Sequence, residues 1–71
     1  MVRLYKALCE HGITLVVEPD KDYEDIVNYY FKLGGESSLL YPVDLHLLER
    51  NLDKHENRLI ANLENFVDSL K

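Results

Sequence analysis

The chain has 71 residues, enough for one small domain. Hydrophobic residues make up 46% of it, ample for a core and too rich for a disordered tail, while a net charge of −5 argues against a general phosphate-backbone binder, which needs clustered Lys and Arg. Cys9 is the single cysteine, which excludes a disulfide within the monomer and fits a reducing, cytoplasmic setting; no charged segment leading into an apolar run marks a signal peptide, and no apolar stretch approaches a membrane span.

Met1, Leu4, Ala7 and Leu8 recur at helical spacing, and Gly12 followed by Ile13 fits a C′ glycine with its apolar contact. Residues 1–12 therefore read as a short helix. The competing reading takes Val2, Leu4 and Leu8 as alternating strand positions, turned at Cys9–Gly12 into the next segment. That segment, Ile13–Glu18, is rich in β-branched residues and bounded by Gly12 and Pro19, so it reads as a strand. A lone strand is unstable. Its expected partner is the N-terminal segment, Ser38–Tyr41 or its twin across a dimer axis, unless it is an extended linker covered by helices.

Asp20–Asp25 is expected to open a second helix, with Asp22 as N-cap, Asp25 at N3 and acids at the positive end. This helix is expected to run to Leu33 and stop at Gly34-Gly35. Ile26, Tyr29, Tyr30 and Leu33 form one stripe; Tyr23, Val27 and Phe31 widen it to about half the circumference, more than one packing contact needs. Residues 34–43 read as a loop in which Leu39, Leu40 and Tyr41 need cover. The candidate partner-binding set is accordingly Tyr29, Tyr30, Phe31, Leu39, Leu40 and Tyr41, since tyrosine is enriched at interfaces.

From Val43 to Lys71 there is neither Gly nor Pro, and the pattern reads as one long amphipathic helix over about 44–70. Asp44 is its N-cap. Leu45, Leu48, Leu52, Leu59, Leu63, Phe66 and Leu70 share one arc, with Leu52 and Leu59 expected in the core. The heptad decays at His55 and Asn62, which indicates a straight helix rather than a zipper. About 27 residues would span ~40 Å, longer than the body of so small a domain, and the overhang points to a second subunit.

Chemical motifs fail on inspection. Asp20, Asp22 and Glu24 begin like a calcium loop, but Asp25 and Phe31 stand where Gly and Glu are required. Glu18, Asp20, Asp22, Glu24 and Asp25 are left as an acidic patch suited to a basic partner. His46 and His55 lie on opposite sides of the expected helix and His11 is far away, so no metal site is expected. Cys9 has no positioned base. Glu49 and Glu56 fall inside the apolar arc; buried, they would need Arg3, Lys6 or Lys32 as partners, while the simpler reading leaves both at its wet edge.

The fold expected is mainly α: short helix, extended segment, Tyr-rich helix, long C-terminal helix, with α+β built on an N-terminal hairpin as the alternative. The function expected is that of a small, acidic, non-enzymatic interaction or inhibitor protein, homodimeric, without cofactor. An acidic nucleic-acid mimic or antitoxin-like antagonist is the second reading. A nucleic-acid-binding regulator is the third, and it would need Lys32, Arg50, Lys54 and Arg58 on one surface.

Overall fold

The computed structural model describes residues 2–71. Its elements are α1 (Val2–His11), β1 (Thr14–Pro19), β2 (Ile26–Leu33), β3 (Glu36–Ser37), β4 (Tyr41–Asp44), α2 (Leu45–Arg50) and α3 (Leu52–Ser69). The fold is α+β, not mainly α: β2 is the central strand of an antiparallel sheet, with β1 on one side and β3 and β4 in line on the other. The α+β alternative is right in class, but its hairpin is misplaced. Residues 2–11 are helical, and β1 pairs with β2 through Thr14↔Lys32 to Pro19↔Val27.

The segment expected as the Tyr-rich helix is thus the middle of the sheet. Ile26, Val27, Tyr29, Tyr30 and Phe31 are β-branched or aromatic, the types that pack well on a pleated surface. Val27, Tyr29 and Phe31 point to one face, and Asn28, Tyr30 and Lys32 to the other. A strand apolar on parts of both faces gives a half-circumference arc when wound on a helical wheel, which is what the sequence shows. Asp22 is no helix cap. Asp20 instead accepts the backbone N–H groups of Asp22 (2.8 Å) and Tyr23 (3.2 Å) and the Asn28 amide (3.0 Å), tying the β1–β2 loop to the strand.

Gly34-Gly35 is a two-residue hairpin turn closed by Leu33↔Glu36. Gly34 has φ +59, the positive value that the first position of a primed turn requires. Beyond it, the register changes from Lys32↔Ser37 to Tyr29↔Tyr41, one extra residue on the outer strand. Leu39 and Leu40 therefore sit in a bulge opposite Tyr30. Ser38 pins the bulge, its N–H donating to the Phe31 carbonyl (2.9 Å) and its hydroxyl accepting from the Phe31 N–H (2.9 Å).

The C-terminal helix is two helices. Asp44 caps α2 as expected, accepting from the N–H groups of His46 (2.8 Å) and Leu47 (3.4 Å). Asn51 then leaves the helical region, at φ −154 and ψ 75, and its side chain caps α3 by accepting from the Lys54 N–H at 3.2 Å. An Asn side chain that competes for backbone donors breaks a helix without Gly or Pro. The 18 residues of α3 span ~27 Å, within the 34 Å long axis of the molecule. The expected overhang is absent, and with it that argument for a second subunit.

The core lies between the sheet and the helices: Leu4, Ile13, Tyr29, Phe31, Leu59, Leu63 and Phe66. Phe31 is fully buried and stacks on Phe66 at 6.4 Å, while Tyr29 meets Phe31 edge-on at 5.8 Å. The Asn62 amide donates to the Tyr29 hydroxyl at 2.7 Å, satisfying its oxygen; burial, stronger than this bond, pushes the phenol pKa up. Leu59 is buried as expected, but Leu52 is 55% exposed, because the break at Asn51 takes the first turn of α3 off the core.

Glu56 corrects the wet-edge reading for one of the two acids. Glu49 is exposed, whereas Glu56 is only 5% exposed. Its carboxylate accepts from the Leu4 N–H (3.3 Å) and from the Arg3 guanidinium (2.9 Å), so α3 supplies a cap to the N-terminal turn of α1. Burial alone would raise its pKa. The Leu4 N–H and the charge and hydrogen bond of Arg3 outweigh it, holding the carboxyl below 4.5.

Candidate functional site

Among the described residues, helices cover only one face of the sheet. They reach it through Tyr29 and Phe31, which meet Asn62 and Phe66 of α3. The opposite face carries Thr14, Val16, Asn28, Tyr30 and Lys32, none of which joins the core. Val16 and Tyr30 stand directly across from one another on neighbouring strands, both partly exposed. In the bulge, Leu39 is 78% and Leu40 55% exposed.

The structure divides the expected partner-binding set. Tyr29 and Phe31 are core. Tyr41 is half-buried on the helix side and stacked on Tyr29 at 5.2 Å. Tyr30 stands on the open face with Val16, whereas Leu39 and Leu40 are exposed in the bulge, where Leu39 lines a concavity with Tyr41 and with Asn65, Phe66 and Ser69 of α3. Sequence periodicity missed Val16, but alternation along Ile13–Glu18 could have placed it opposite Leu15 and Val17.

The acidic patch clusters around the β1–β2 loop: Glu18, Asp22, Glu24 and Asp25 are exposed, and Asp20 is partly covered. The Asn28 amide, followed by the Asp22 N–H, lowers the Asp20 pKa. His46 Nε2 lies 3.3 Å from Asp25 Oδ2 with both side chains largely exposed, a pair of small energetic weight. Toward the helices the acidic patch gives way to cations. Arg50, Lys54 and Arg58 line one concavity of about 180 Å³ with Leu47, Asn51 and His55. Lys32, the fourth cation a nucleic-acid reader would need there, lies on β2 facing the uncovered side of the sheet.

A second surface feature escaped the sequence. On the helix side, Leu15, Val17, Val27, Leu48 and Leu59 line an apolar groove of about 160 Å³ that reaches the edge strand β1. Val17 is 57% exposed there. Among the described residues no group of His, Cys, Asp and Glu could hold a metal ion, and no helix is long and apolar enough to cross a membrane. Compared with protein families, with curated proteins and with solved structures, the chain gives no match.

Proposed function

We propose that this chain is a non-enzymatic, cytoplasmic interaction protein, homodimeric, that presents the open face of its sheet to a protein partner. The observation that carries the reading is the one-sided helix layer, which leaves Val16 and Tyr30 paired on a face the core does not use, with exposed Leu39 and Leu40 in the bulge at its edge. Tyrosine beside aliphatic side chains is the composition of interface anchors. The groups with displaced pKa values support a non-catalytic reading. Asp20 caps a loop, Glu56 caps a helix and Tyr29 is packed in the core, so none is turned toward a shared cleft.

The test is affinity capture from the native host with wild type beside a Tyr30→Ser variant. Tyr30 lies outside the core, so the variant's melting temperature is expected to stay close to that of wild type. A protein retained by wild type and lost by the variant is expected. Identical recovery by both would refute the open face as the binding surface.

A further inference from the structure

The hydrogen-bond phase of the sheet shows what its free edge can do. Asp20 N–H donates to the Ile26 carbonyl at 3.0 Å, in the same register as the β1–β2 pairing. Even-numbered residues of β1 therefore exchange hydrogen bonds with β2, and the N–H and C=O groups of Leu15 and Val17 point away from it. Pro19 agrees with this phase, since a residue without an N–H occupies an outward position. No element pairs with this edge among the described residues.

The two edges of the sheet differ. The outer one is interrupted by the Leu39–Leu40 bulge, and Pro42 places its missing N–H there. The β1 edge has β-branched residues at Val16 and Val17 and no lysine, bulge or internal proline before Pro19. One edge is guarded and the other left open.

We propose that β1 pairs with β1 of a second copy, antiparallel about a two-fold axis at Val16. This places the seam of the homodimer, and so rests on the homodimeric part of the function proposed above. The register follows from the available groups. Pairing Leu15 with Val17 of the second copy, and the reverse, uses every outward N–H and C=O of both residues. Centring on Leu15 instead brings in Ile13, whose N–H already donates to the Leu8 carbonyl (3.0 Å); centring on Val17 brings in Pro19, which has none. In the Val16-centred register Thr14 faces Glu18, hydroxyl against carboxylate, and no like charges oppose, which matters for a chain of net charge −5. Exposed Val17 packs against Leu15 of the second copy beside the apolar groove. The axis is perpendicular to the sheet, so both open faces lie on the same side and form one surface. The guarded outer edges close the assembly as a dimer rather than a filament.

Sedimentation of the full chain, with circular dichroism for folding, tests the seam on three variants. Val17→Pro deletes an outward N–H and no bond to β2; it is expected to raise the dimer dissociation constant by roughly a hundredfold. Val17→Lys keeps the backbone but sets a charge at the seam, with the same expected outcome. Val16→Cys in a Cys9→Ser background is expected to form a disulfide-linked dimer under native conditions and not in urea. A wild-type dimer that survives both Val17 substitutions and gives no Val16→Cys cross-link overturns the seam while leaving the homodimer in place. A wild-type chain that stays monomeric overturns both.

Discussion

Phe31→Ala is expected to cost ~3–5 kcal/mol, a large part of what holds so small a domain together. Phe31 is fully buried between Phe66 on α3 and Tyr29 on its own strand, so truncation leaves a cavity under the helix layer that neither rigid neighbour can fill. Urea unfolding measures the loss. Leu52→Ala is the control: at 55% exposure it is expected to cost under about 1 kcal/mol. Comparable losses at both positions would mean that the first turn of α3 packs on the core and that the helix is continuous through Asn51.

Glu56→Gln is expected to lower the melting temperature at neutral pH and to flatten its acid dependence. The carboxyl is held below 4.5 in the folded chain, chiefly because the Leu4 N–H and Arg3 outweigh the opposing effect of burial. A folded-state value below the unfolded one gives stability that is present above 4.5 and lost as pH falls through the folded value. The wild type should therefore lose stability in that window, and the two proteins should converge in strong acid. Glutamine can still accept from Leu4, but it brings no charge to Arg3. Melts from neutral to strongly acid conditions decide the matter; parallel curves would show that Glu56 does not hold α1 electrostatically.

Local signals were legible where one physical cause acts alone. Gly12 ends α1, the run at Thr14–Val17 makes a strand, and Asp44 caps the helix after it. The Leu59, Leu63 and Phe66 stripe finds the core. Misreadings arose where two causes give the same pattern. Ile26, Tyr29, Tyr30 and Leu33 satisfy helical spacing, yet Val27, Tyr29 and Phe31 satisfy alternation, and tertiary pairing with β1 and β4 decides between them. Gly34-Gly35 stops a helix or turns a hairpin equally well. The break at Asn51 carries no Gly or Pro signal; its side chain competes for the backbone instead. For the candidate site, the expected set mixed Tyr30 on the open face with Tyr29, Phe31 and Tyr41 on the helix side. Only a strand, which sends neighbours to opposite faces, separates them.

Tyrosine footprinting by nitration tests the central claim most directly, namely that β2 buries Tyr29 and offers Tyr30. In the free protein Tyr30 is expected to react while Tyr29, 3% exposed and bonded to Asn62, does not; with the captured partner bound, Tyr30 becomes protected. Equal modification of Tyr29 and Tyr30 in the free protein, or a Tyr30 as reactive in the complex as outside it, would contradict the account.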